Sequence, residues 1–169
     1  MTPVNASRIG APEPPGREVW LAPVTVMLGS LITLIPIVAT VPFLPPFGLM
    51  LLIAWRMRRP DVFRTWAAVP LGLFDDLVSG QPLGSAMLLW TIAYLAIDII
   101  DARLVWRSFW HDFAIAAGGV AFVLVAGRLV ATGFTAHVDT VLLVQILIAM
   151  AFYPLIALLV ARWDPRVAE

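Results

Sequence analysis

The chain has 169 residues, 61% hydrophobic and 13% charged, with a formal net charge of zero and a mean hydropathy of +0.93. A soluble core of this length has no room for so much apolar surface, so the composition excludes an ordinary soluble domain and points to an integral membrane protein. The absence of cysteine excludes disulfides, thiolate metal sites and cysteine nucleophiles. His111 and His137 lack the i, i+4 spacing of a helical metal site, so neither a metal nor another cofactor is expected.

Residues 1–18 carry Pro3, Pro12, Pro14, Pro15 and Gly16 among polar neighbours, which predicts a flexible tail. The apolar run from about Val19 to Val41 is too long for a signal-peptide core and lacks a convincing cleavage site. It predicts a first membrane helix, about 34 Å long at about 1.5 Å per residue. Pro23 suits its first turns, Pro36 predicts a kink, and Pro42, Pro45 and Pro46 end it.

A second segment follows over 47–57 and a third over 66–79. Both are shorter than an ordinary span and, taken alone, read equally as re-entrant or buried elements. Counting them as crossings explains the charges better. The fourth, fifth and sixth segments cover 85–100, 112–130 and 138–160, with a short tail over 162–169. The expected architecture is an all-α bundle of six transmembrane helices within 19–161.

All 11 basic residues are arginine. With a cytoplasmic N-terminus, the inner parts of the six-span layout hold Arg8 and Arg17, then Arg56, Arg58, Arg59 and Arg64, then Arg103 and Arg107, then Arg162 and Arg166. Only Arg128 falls near the outer side, the asymmetry that the positive-inside rule expects of a protein with both termini in the cytoplasm. Trp20, Trp55, Trp66, Trp106, Trp110 and Trp163 fall near predicted helix ends, as interfacial anchors do. The cluster Arg56, Arg58, Arg59 and Arg64 is a candidate contact for anionic lipid headgroups or a cytoplasmic partner. Asp98 and Asp101 read as a solvated cluster, with a basic partner such as Arg64 expected nearby.

The stretch Gly72-Leu73-Phe74-Asp75-Asp76-Leu77-Val78-Ser79-Gly80-Gln81-Pro82-Leu83-Gly84 sets two adjacent acids in an apolar setting, where acids are costly. Lying about 100° apart on a helix, Asp75 and Asp76 cannot both face one narrow seam. They either cap the helix-to-loop transition, accepting hydrogen bonds from backbone groups around Ser79 to Gly84, or one of them, Asp76 first, pairs with Arg128 at matching depth. Gly72 permits a close helix approach, and Gly80 and Gly84 flank Pro82 in a turn. Gly118 and Gly119 give the fifth helix a small-residue packing face. There is no nucleophile elbow and no phosphate-cradling loop, and adjacent acids on one helix do not converge as a protease pair would, so no enzyme is expected.

Pro46, Trp55, Pro60, Gly72, Leu73, Asp76, Gly80, Leu83 and Gly84 together resemble the pattern of the bacterial rod shape-determining MreD family. There a proline-led apolar helix reaches an aromatic residue and a basic stretch with a proline, and a later helix ends in Gly-Leu-x-x-Asp-x-x-x-Gly-x-x-Leu-Gly. Tyr153 and Pro154 match an aromatic-proline pair in the last helix. Asp75 stands where that family usually has an apolar residue, and the tail before Val19 is longer and richer in proline. The resemblance implies a polytopic protein of the bacterial inner membrane that binds MreC and, through it, works with MreB and with RodA and its transpeptidase. On that reading it is a non-enzymatic scaffold supporting peptidoglycan synthesis and cell shape, with no nucleic-acid partner. The resemblance also implies a fold similar to the substrate-binding subunits of energy-coupling-factor vitamin transporters, which leaves a small-molecule-binding or transport subunit as the alternative.

Overall fold

Proline and glycine punctuate the chain, and between them apolar segments close their own backbone hydrogen bonds as helices, as the interior of a bilayer requires. A computed structural model describes residues 18–34, 44–103, 108–132 and 140–164. They form α1 (Glu18–Leu31), a 3-10 turn (Ile32–Leu34), α2 (Phe47–Arg58), α3 (Ala68–Ser79), α4 (Ser85–Arg103), α5 (Phe109–Ala131) and α6 (Thr140–Trp163). The described residues contain no strand. Arg8, Arg17, Pro36, Pro42, Trp106, Arg107, His137 and Arg166 lie outside them.

α2 follows directly on Pro45 and Pro46, and Met50 donates its amide to the Pro46 carbonyl at 3.0 Å. Every residue from Gly48 to Met57 is buried. α1, α5 and α6 pack against α2, while α1, α3, α4, α5 and α6 follow one another around it, each resting on the next. The approach of α1 to α2 is made at Gly29, where an added Cβ would lie 2.8 Å from Leu51 Cδ1 and 3.0 Å from the Gly48 amide nitrogen. α3 meets α4 at Gly72, where a Cβ would stand 2.7 Å from Met87 Cα and 2.8 Å from the Ala86 carbonyl oxygen. Backbone against backbone leaves no space for a side chain there.

Helix length divides the bundle. α4, α5 and α6 are long and apolar enough to cross a membrane. α2 and α3 have 12 residues each, about 18 Å at about 1.5 Å per residue, against a hydrocarbon layer of about 30 Å. The second segment is therefore a protein-covered element at the centre of the bundle. Sheathed by other helices, it escapes the matching of apolar length to bilayer thickness that governs a lipid-facing span.

Its burial also corrects the reading of Trp55 as an interfacial anchor. Trp55 is fully buried, and its indole N–H donates to Thr25 Oγ1 of α1 at 3.0 Å. Thr25 in turn donates to the Ala22 carbonyl at 2.8 Å. Trp20, Trp66, Trp110 and Trp163 are exposed, as lipid-facing aromatic residues would be.

Candidate functional site

The polar side chains of the bundle gather at two opposite ends. At the first, α3 closes on Gly80, whose φ of 68° is the left-handed conformation that ends helices at little cost to glycine. The chain passes Gln81, Pro82 and Leu83, all exposed, and Gly84, at φ 92°, leads into α4.

The first amides of α4 have no partner within their own helix. Asp76, reaching across from α3, supplies it. Its Oδ2 accepts from the amides of Gly84 at 2.9 Å and Met87 at 3.2 Å. Its Oδ1 accepts from the Ala86 amide at 2.8 Å and the Ser85 hydroxyl at 3.0 Å. Asp76 is 1% exposed, and the positive end of the α4 dipole faces its carboxyl group. Asp76 thus acts as a cap lent by one helix to the next, fastening α3 to α4 beside their contact at Gly72.

These partners are not Arg128, the counter-charge first expected for Asp76. A guanidinium offers no advantage to a carboxyl group whose two oxygens already receive four donors. The capping alternative is closer, although the donors begin at Gly84 and continue into α4 instead of ending there. Asp75 points elsewhere, toward Ser30 of α1. The adjacent acids therefore face different ways, Asp76 into the α3–α4 seam and Asp75 toward α1. Asp75 shares a cavity of about 230 Å³ with Arg128, Gln81 and Gln145. Gln145 at the start of α6 donates to the Leu44 carbonyl at 2.8 Å, tying α6 to the entry of α2.

The opposite end holds the arginines. Arg56, at the close of α2, pairs with Asp98 of α4, lies 3.6 Å from Asp101 and stacks over the Tyr94 ring at 5.7 Å. Tyr94 donates its hydroxyl to the Phe63 carbonyl at 3.2 Å. Arg59 donates to Asp164, just past α6, at 3.0 Å, and to both oxygens of Asp61 at 3.1 Å. Arg58 lies 3.6 Å from Asp164.

Arg56 and Arg59 are thus buried, 5% and 6% exposed, which leaves Arg58 and Arg64 as the members of the cluster open to lipid headgroups or a cytoplasmic partner. Burying a guanidinium is affordable only beside carboxylates, and folding brings those from α4 and α6. Arg58 and Arg64 remain exposed. Asp98 and Asp101 find their partner in Arg56, not in Arg64. Pro60 sits exposed in the loop between α2 and α3.

Tyr153 is buried against Phe113, ring centroids 6.2 Å apart, and Pro154 lies inside α6. Ser30, Thr25, Gln145 and Asp164 were not singled out by sequence reasoning. Asp164 alone carried a signal, an acid directly after the last apolar run in a chain whose buried cations need partners. No group of three or more potential metal ligands occurs among the described residues.

The ends of α2, α4 and α6 meet at the arginine-rich end, whereas the close of α3, the start of α4 and the start of α6 meet at the other. An all-α membrane protein whose chain reverses at each of these turns, with polar fastenings at both ends, is the class these features define. The family model described as rod shape-determining protein MreD matches residues 18–163, and the chain belongs to that family. No curated protein and no solved structure matches it. Membership assigns the chain a part in rod shape determination.

Proposed function

We propose that the protein is a non-enzymatic scaffold of the cell-elongation machinery, seated in the bacterial inner membrane with the arginine-rich end and both termini in the cytoplasm. It binds MreC directly and works with MreB, RodA and the RodA transpeptidase to support peptidoglycan synthesis. The observation that carries this reading is the use made of the buried polar groups. Asp76 is occupied by backbone amides of α4, and Arg56 and Arg59 by carboxylates of neighbouring helices. Side chains fastened in this way hold a shape.

On this reading Gly72, Asp76, Gly80 and Gly84 fix the turn that displays Pro82 and Leu83 to partners, and the exposed apolar faces of α5 and α6 meet lipid or a partner helix. The positive-inside rule supports the orientation. The transport-subunit alternative draws little from the Asp75 end, whose cavity of about 230 Å³ falls below the usual range of ligand pockets, about 300–1,000 Å³.

Depletion of the protein in a rod-shaped host tests the proposal. Cells should round up and fluorescently tagged MreC should lose its normal placement. Rod-shaped cells with normally placed MreC would overturn it.

A further inference from the structure

α2 and α3 are equally short, but only α2 is sheathed. α3 lies between α1 and α4 and exposes Val69, Pro70, Leu73 and Leu77, a stripe without one polar side chain. Exposed turns bound it, with Arg64, Thr65 and Trp66 before the helix and Gly80 and Gln81 after it. Irregular backbone open to lipid is not tolerated inside the hydrocarbon layer, so the two turns mark the edges of that layer on this flank. Between them α3 has 12 residues, or about 18 Å at about 1.5 Å per residue.

The neighbouring helix repeats that height. On α4 the Ser85 hydroxyl is bonded to Asp76 and the Asp98 carboxylate to Arg56, and these polar layers stand 13 residues apart, about 20 Å along the helix. α6, by contrast, carries no charge from Thr140 to Ala161, a run of about 32 Å that tilts to fit a hydrocarbon layer of about 30 Å. Tilt shortens a span and cannot lengthen one. We infer that the protein thins the bilayer along its α3 flank to about 20 Å and meets it at ordinary thickness along α6, so that the outer face of α3 is a surface for a compressed lipid layer.

The stripe itself selects lipid as its occupant. It holds no charged or hydrogen-bonding side chain with which a protein partner would set its register. A partner's span of about 20 residues would overrun α3 at both ends and lay apolar side chains on the exposed turns. Acyl chains instead accommodate a short span by compressing, at modest cost, with Trp66 and Arg64 at the arginine-rich edge as an interfacial ring and a snorkelling cation. The inference requires α3 to cross the bilayer, whichever side is cytoplasmic, and is independent of the scaffold reading.

Spin labelling of the full-length protein in dioleoyl phosphatidylcholine vesicles provides the test, with depth read from each label's relative accessibility to oxygen and to a water-soluble nickel chelate. The chain has no native cysteine. Val69→Cys and Leu77→Cys lie eight residues apart about the middle of α3, and Leu147→Cys and Leu155→Cys lie eight apart about the middle of α6; all four positions are exposed. In a layer of uniform thickness the two pairs would sit at nearly equal depths. Both α3 labels should instead be shallower than the α6 labels by about 5 Å, half the difference in thickness between the flanks. In vesicles of dimyristoleoyl phosphatidylcholine, whose chains are shorter, the α6 pair should become shallower while the α3 pair holds its depth. Equal depths for the two pairs, or one shallow and one deep label on α3, would overturn the inference. So would α3 labels closed to both oxygen and nickel, the sign of a second copy or another protein helix on that face.

Discussion

At the Asp75–Asp76 end an acid is buried against backbone amides, and at the arginine-rich end four acids are held by long cationic side chains. The amides of α4 are fixed by the helix that carries them, so Asp76 meets donors whose positions cannot relax. Asp164 is shared by Arg59 and, at 3.6 Å, by Arg58, and Arg56 lies between Asp98 and Asp101. At the first end the donors to Asp76 are fixed in the α4 backbone. At the other end acids and arginines are shared, and tolerance to substitution should differ accordingly.

Asp76→Ala should have the largest effect, because it strands several buried donors at about 1–3 kcal/mol each. Thermal unfolding in detergent, followed by tryptophan fluorescence, should show a loss of several kcal/mol. Little change would mean that water replaces the carboxyl group. Arg59→Met comes next. Its cost should fall below the about 3–5 kcal/mol typical of a broken buried pair, since Arg58 remains beside Asp164. A loss equal to that of D76A would erase the contrast between the ends.

Gly72→Val, which sets a side chain against the α4 backbone, should cost about 1–3 kcal/mol or more and should add little once Asp76 is already absent, because both act on the α3–α4 seam. Additive losses in the double variant would show that cap and close contact act separately. Asp75 and Arg128 offer a finer comparison, as lining residues of one cavity. Charge reversal at either should lower the level of protein in membranes, and reversal of both should restore it; failure of that rescue would argue against a pair. The smallest effect, within about 0.5 kcal/mol, is expected for Arg64→Gln at the exposed edge of the loop.

Much of this contrast was hidden from the sequence for a physical reason. Asp76 stood out through its apolar setting and its place in a family pattern, but its donors are amides, which no residue type advertises; only Ser85 and the two glycines hinted at a capped helix start. Arg56 and Asp98 are separated by 42 residues, and no local rule joins them. A run of arginines after an apolar helix reads as a solvated loop until α4 and α6 deliver their acids. Apolar runs and proline placement did reveal the helices, because those signals are local. They did not reveal that α2 lies inside the others, since hydropathy cannot tell a helix surrounded by lipid from one surrounded by protein.

The account rests on the two ends lying on opposite sides of a membrane, and the absence of native cysteine makes that directly measurable. Single cysteines at Gln81 and Asp61, both exposed, report the two ends when intact cells are treated with a membrane-impermeant maleimide. Gln81→Cys should be labelled from outside, and Asp61→Cys only after the cells are opened. Labelling of both from outside, or of Asp61→Cys alone, would contradict the arrangement.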